Sequence, residues 1–211
     1  DCAHRRTAGL GDGRADAAGA RWALPGKIIL KTICAALLLA LVSGRMAGAG
    51  QDDPQLNDLF AELKSSATMA EAAGVEVQIW RLWSLSNDAA VDRMLAGGTA
   101  AMNHGGYDAA LSSFNSVIEL RPDFAEGWNK RATLYYLMGD YDRSIADVER
   151  TLALEPRHFG ALAGLGLINI MLARHSEALA AFEAALAVHP HMPHAKRMVK
   201  RLRNLEDKST I

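Results

Sequence analysis

His189-Pro190-His191-Met192-Pro193-His194 gathers three imidazoles and a thioether in one short run, the donor types that hold copper or zinc. The setting argues against a metal centre. The prolines hold the chain extended, and the run contains no cysteine or carboxylate to complete a donor set. His189 also stands before a proline just as Arg121 and Glu155 do, so its place has a purely positional explanation. Metal handling through His189, His191 and His194 is kept as the alternative reading, and no cofactor is expected. Other chemistry is thinner. There is no Gly-x-Ser-x-Gly elbow, P-loop, His-Glu-x-x-His or Cys-x-x-Cys. Asp140 and Asp142 fall at a turn, where helix capping accounts for them. An enzyme is not expected.

The elements that would position any site begin after two segments of different character. Residues 1–26 show no periodic apolar pattern and read as an unstructured extension outside the fold. Residues 27–49 read as an export signal. Lys27 and Lys31 supply the basic region, Ile28 to Val42 is almost wholly apolar, and Ala47-Gly48-Ala49 offers small residues for cleavage. Fifteen apolar residues fall short of the ~20 that span a bilayer as a helix. A membrane role is therefore expected only if this signal stays uncleaved. Cys2 and Cys34 both lie upstream of Gly50, so the mature chain would have neither disulfide nor thiol nucleophile. Residues 50–211 carry sixteen basic against twenty-one acidic side chains, a net of −5. That acidic balance, with export, disfavours nucleic acid as a partner. The expected location is the periplasm or cell envelope of a bacterium.

Beyond Gly50 the chain is organised by a period. Pro122, Pro156 and Pro190 are spaced by 34 residues, and the same register aligns Phe114, Val148 and Phe182, and Ala110, Ser144 and Ala178. A fixed period of this length marks stacked helical hairpins, and the three units run 91–124, 125–158 and 159–192. Small residues at Gly98, Ala132 and Gly166 let each first helix approach its partner closely. Phe114, Val148 and Phe182 fill the space between hairpins, and each proline ends a second helix. Gly105-Gly106 and Gly139 suit the left-handed backbone at a helix end. Residues 50–90 read as a degenerate hairpin capping the array, with Asp53-Pro54 and Thr68 as helix starts. Residues 193–211 read as a closing amphipathic helix and tail, Ala195, Met198, Val199 and Leu202 facing inward and a basic face outward.

The unit resembles the tetratricopeptide repeat. The second unit shows this best, with Trp128, Ala132, Tyr135, Gly139-Asp140-Tyr141, Ser144, Val148 and Pro156; the third departs at its turn, Ala173-Arg174-His175. The resemblance implies an all-α, right-handed helical-hairpin solenoid. It also implies a concave groove lined by the second, fifth, ninth, twelfth and thirteenth places of each unit. From those places the candidate lining is Leu95, Thr99, Met102, Asn129, Thr133, Tyr136, Leu137, Leu167, Ile170 and Met171. The set lacks the lysines by which some family members grip a carboxyl terminus. A protein or peptide partner is expected, an apolar or amphipathic helix fitting best. The competing possibility is that several of these residues are core and that the chain's own N-terminal hairpin fills the groove.

Overall fold

The computed structural model describes residues 50–209, so the segments read as an extension and an export signal lie outside the described residues. A 3₁₀ turn, Gly50–Asp52, precedes nine α-helices, and no strand occurs among the described residues. They are α1 (Gln55–Ser65), α2 (Met69–Trp83), α3 (Ala89–Asn103), α4 (Tyr107–Leu120), α5 (Ala125–Leu137), α6 (Tyr141–Leu154), α7 (Phe159–Met171), α8 (His175–Val188) and α9 (Pro193–Ser209). The fold is an all-α helical repeat.

Local sequence explains the boundaries. The Asp53 carboxylate accepts the Gln55 amide at 2.9 Å, and Thr68 Oγ1 accepts from Glu71 while Glu71 accepts from Ala67, a reciprocal cap at the start of α2. Asp88 accepts the amides of Ala90 and Val91 to open α3. Each periodic proline lies two residues beyond the last residue of α4, α6 or α8. Gly105 (φ 78°) and Gly139 (φ 77°) take the left-handed conformation at the turns inside the first two units. In the third unit Ala173 takes it instead, at φ 56°, where a Cβ is disfavoured.

Packing inside each hairpin follows a matched pair. A Cβ on Gly98 would lie 2.7 Å from the Phe114 ring, and one on Gly166 would lie 2.8 Å from Phe182. Both rings are fully buried. The second unit has Ala132 where the others have glycine, and Val148 where they have phenylalanine. The smaller partner leaves room for the extra methyl. Ser144 adds a hydroxyl donated to the Ala132 carbonyl at 2.7 Å, which ties α5 to α6. Ala110 and Ala178 are buried at the equivalent places, as the period requires. Within the second unit Arg131 grips both oxygens of buried Asp147 at 2.7 and 2.8 Å, and it reaches Asn115 of the first unit at 2.8 Å.

Trp128 sits at the edge of the core rather than inside it. It is half-buried, with its indole N–H donated to the Pro122 carbonyl at 3.0 Å and guanidinium groups of Arg131 and Arg150 over its ring at 5.0 and 5.8 Å. A ring with a polar edge and cationic neighbours is best held at the surface, where it staples the first proline loop. Tyr135, by contrast, is buried.

The matched pair is testable. Val148→Phe alone is expected to lose about 2 kcal/mol through overpacking against the Ala132 methyl. Adding Ala132→Gly should recover at least half of that loss in a double-mutant cycle read by urea unfolding, whereas strictly additive losses would show that the two sites are not in contact.

Candidate partner-binding groove

The first helices of the hairpins, α3, α5 and α7, carry the candidate lining, and the structure divides it. Leu95 and Met102 are buried, 4 % and 7 % exposed, in a cluster with Val91, Phe114 and Leu134. They are core rather than lining, because the apolar face of the first unit closes on its own second helix and on Leu134 of α5. Thr99 spends its hydroxyl on the Leu95 carbonyl of its own helix at 2.8 Å. Further along, Asn129, Thr133, Tyr136, Leu137 and Leu167 come together around a cavity of about 290 Å³ between α5 and α7, floored by Gly160, Ala161, Ala163 and Gly164. Leu137 and Met171 are exposed by 47 % and 55 %. Ile170 is half-buried against the Phe182 cluster. The open lining is thus uncharged and apolar.

The other end of the groove is filled by the chain itself. α1 and α2 bury Leu56, Phe60, Leu63, Val75, Ile79 and Trp83, and that core is completed by Phe159, with Val188 and Met192 packed on it, all from the third unit. Position in the sequence would place this hairpin as a cap on the first unit. Its aromatic face instead finds its match at the junction of the second and third. Trp83 stacks on His158 with ring centroids 4.1 Å apart and an 8° angle, and Trp80 meets His158 and Phe159 edge-on at 5.4 Å. Gly160 belongs to the implied lining, yet a Cβ there would sit 2.6 Å from the Trp80 ring. Arg157 reaches Asn57 at 2.8 Å and lies over the Phe60 ring at 4.4 Å.

Buried charge ties this contact together. Glu126 and His158 side chains are both fully buried, Oε2 to Nε2 at 3.0 Å. Asn129 donates to the same oxygen at 2.9 Å, and Lys130 Nζ stands 3.0 Å from Oε1, close enough for an ion pair without being aligned as a hydrogen bond. His158 Nδ1 accepts the Ala161 amide at 3.0 Å, capping α7, so the ring proton resides on Nε2 and is donated to Glu126. Burial alone would raise the Glu126 pKa. The His158 hydrogen bond and the Lys130 charge outweigh it and hold the carboxyl below its ordinary range. A second pair repeats the motif. His189 Nε2 lies 3.2 Å from Glu76, Trp80 donates to Glu76 at 3.2 Å, and the His189 hydrogen bond is the main cause of a lowered Glu76 pKa.

That pairing settles the geometry of the histidine run. His189 is buried with Nε2 against Glu76 and Nδ1 accepting the His191 amide at 3.3 Å, so both of its nitrogens are engaged. No group of three metal-ligating residues occurs among the described residues. No period or motif joins Glu126 to His158 or Glu76 to His189. The available signal was compositional: Trp80 and Trp83 are too much aromatic surface for two short helices to bury alone. Asn129, weighed as lining, is buried and committed to Glu126.

Glu126 carries a pH prediction. Its folded pKa is lowered from 4.5, so the stability it contributes is complete above that value and is lost as pH falls through the lower folded one. Glu126→Gln should therefore cost about 3 kcal/mol near pH 7, and the gap to wild type should narrow towards pH 3. A gap independent of pH in urea unfolding would show that the carboxylate is not held by its neighbours.

A family model described as tetratricopeptide repeat matches residues 95–137 and 129–193. A TPR repeat-containing protein of Rhizobium etli is 34 % identical over 148 residues, covering 70 % of this chain and 72 % of its own length. The Arabidopsis OM64 TPR domain superposes with a TM-score of 0.52 at 25 % identity, over 55 % of this chain and 95 % of that one. The Yersinia enterocolitica type III secretion chaperone SycD, solved in complex with a peptide of the translocator YopD, shares the fold with a TM-score of 0.54 at 12 % identity, over 56 % of this chain and 96 % of its own. With the 34-residue register, the matched glycine–phenylalanine pairs and these likenesses, the chain belongs to the tetratricopeptide-repeat family.

Proposed function

We propose that this protein is a non-catalytic adaptor that holds a short apolar or amphipathic helical segment of another protein in the open part of its groove. The observation that carries the reading is the uncharged cavity between α5 and α7, bounded by Thr133, Tyr136, Leu137 and Leu167 beside the exposed Met171. Apolar surface left open in a concave site, beside a region the chain has already filled, suits a helix laid along it. The peptide-bound Yersinia chaperone lends support through its shared fold. The site is short because α2 occupies the other end, so the bound segment is expected to span only two or three helical turns.

The cell envelope is the proposed location, on the strength of Lys27, the apolar Ile28 to Val42 and Ala47-Gly48-Ala49. No helix among the described residues is long and apolar enough to cross a membrane. Two experiments test the reading. Crosslinking and pull-down from native envelope should recover a partner with wild type and lose it with Tyr136→Glu, Leu137→Glu and Met171→Glu combined. Recovery of the same proteins by both forms would refute the groove. Mass spectrometry of the exported protein should find a new terminus at Gly50, and an intact Ile28 to Val42 would contradict the cleaved form.

A further inference from the structure

On the side of α7 away from the groove lies a second opening, of about 510 Å³, between α6 and α8. α7 lines it with Leu162, Leu165 and Asn169, α6 with Ile145, and α8 with Ala181 and Ala184. At about 100° per helical residue, these α7 positions stand opposite Ala163 and Leu167, which face the groove cavity.

The period explains the opening. In the preceding unit the places of Leu162, Leu165, Ala181 and Ala184 are held by Trp128, Arg131, Asp147 and Arg150. Those four side chains form one assembly at the junction of the first and second units. The guanidiniums of Arg131 and Arg150 lie over the Trp128 ring, and Arg131 is held by Asp147. Leucine and alanine at the next junction remove an indole, two guanidiniums and a carboxylate. The space they leave stays open.

Two observations point to a ligand. Asn169, at the place of Tyr135, is 6 % exposed and lines the pocket, yet its side-chain amide has no hydrogen-bond partner among the described residues. A buried amide in that state is satisfied only by a group brought in through the pocket. The rim has also changed charge. Glu177 takes the place of Arg143, and Glu149 takes that of Asn115, which receives the Arg131 guanidinium one unit earlier. Both carboxylates are exposed and have no ion pair among the described residues, and Arg174 is the cation that lines the pocket.

We propose that this pocket holds a tryptophan side chain of another protein, with a basic residue beside it. The indole is buried on Leu162, Leu165 and Ala184 with its N–H donated to the Asn169 side-chain carbonyl, and the basic residue meets Glu149. The partner thus supplies from outside what Trp128 and Arg131 supply within the chain one unit earlier. A second copy is not the occupant, because no Phe, Tyr or Trp side chain is exposed among the described residues. The site goes beyond the groove reading and does not rest on it. Lying on the other side of α7, it lets the adaptor hold two partners at once.

The test titrates the full, isotopically labelled chain with three capped dipeptides: tryptophanyl-arginine, leucyl-arginine and tryptophanyl-glutamate. By NMR, the Asn169 side-chain amide and the Leu162 and Leu165 methyls should shift with tryptophanyl-arginine at a Kd on the order of 1 mM. Leucyl-arginine should bind roughly tenfold more weakly for want of the ring. Tryptophanyl-glutamate should bind about threefold more weakly at low salt, a gap that closes in high salt. Leu162→Trp, which refills the pocket from within, and Ala184→Leu, which narrows it, should each abolish the shifts. No shift at these residues, or equal affinity for leucyl-arginine, would overturn the pocket as a tryptophan site. Shifts confined to Tyr136 and Leu137 would overturn it too, while leaving the groove reading intact. Signals already shifted in the free chain and released by Trp22→Ala would overturn the partner and assign the pocket to the chain's own Arg21-Trp22 segment.

Discussion

A fully buried carboxylate is tolerable only with partners, and Glu126 has three of them: His158, Asn129 and Lys130. Much of the structure around the groove depends on that constraint. His158 belongs to the loop that ends the second unit, and Glu126 to the helix that begins it, so their pairing ties the start of α5 to the start of α7. The same imidazole caps α7 through Nδ1 and offers its flat face to Trp83. One side chain thus sets a helix start, donates a hydrogen bond to a buried acid and provides the platform for the N-terminal hairpin. Loss of Glu126 would loosen all three.

The hairpin turns a general scaffold into a particular one. A tetratricopeptide array exposes a long concave surface, and here part of that surface is covered by Trp80, Trp83 and Phe60 together with the Glu76–His189 pair. What stays open is short, apolar and shifted towards the C-terminal helix. Trp83 Nε1 is buried without a hydrogen-bond acceptor, a deficit that stacking on His158 and the surrounding apolar contacts must offset. Aromatic area of this extent is not displaced cheaply, so the covered end is a wall of the site and the partner must fit beside it.

The repeats were legible because their anchors are local and recur. A glycine that must accept a phenylalanine ring leaves the same mark at Gly98 and Gly166, and its relaxed form at Ala132 fits Val148. The helix starts at Asp53 and Thr68 were equally readable, since capping acts over three residues. The docking of the hairpin was not legible. Trp83 and His158 are brought together by tertiary packing alone, and no period links them. Leu95 and Met102 looked like lining because their repeat positions are shared with Asn129 and Tyr136, yet the first unit buries them. A repeat position specifies a direction from the helix; what lies in that direction depends on the neighbour.

The central claim is that α2 is docked on the repeats as firmly as they are on one another. Native-state hydrogen exchange resolved to single amides measures this directly. Amides of residues 75–83 should open with a free energy matching those of residues 161–169, and both should fall together when Trp83 is replaced by alanine. Rapid exchange across α2 while α7 stays protected would contradict the account, since it would leave the whole groove open.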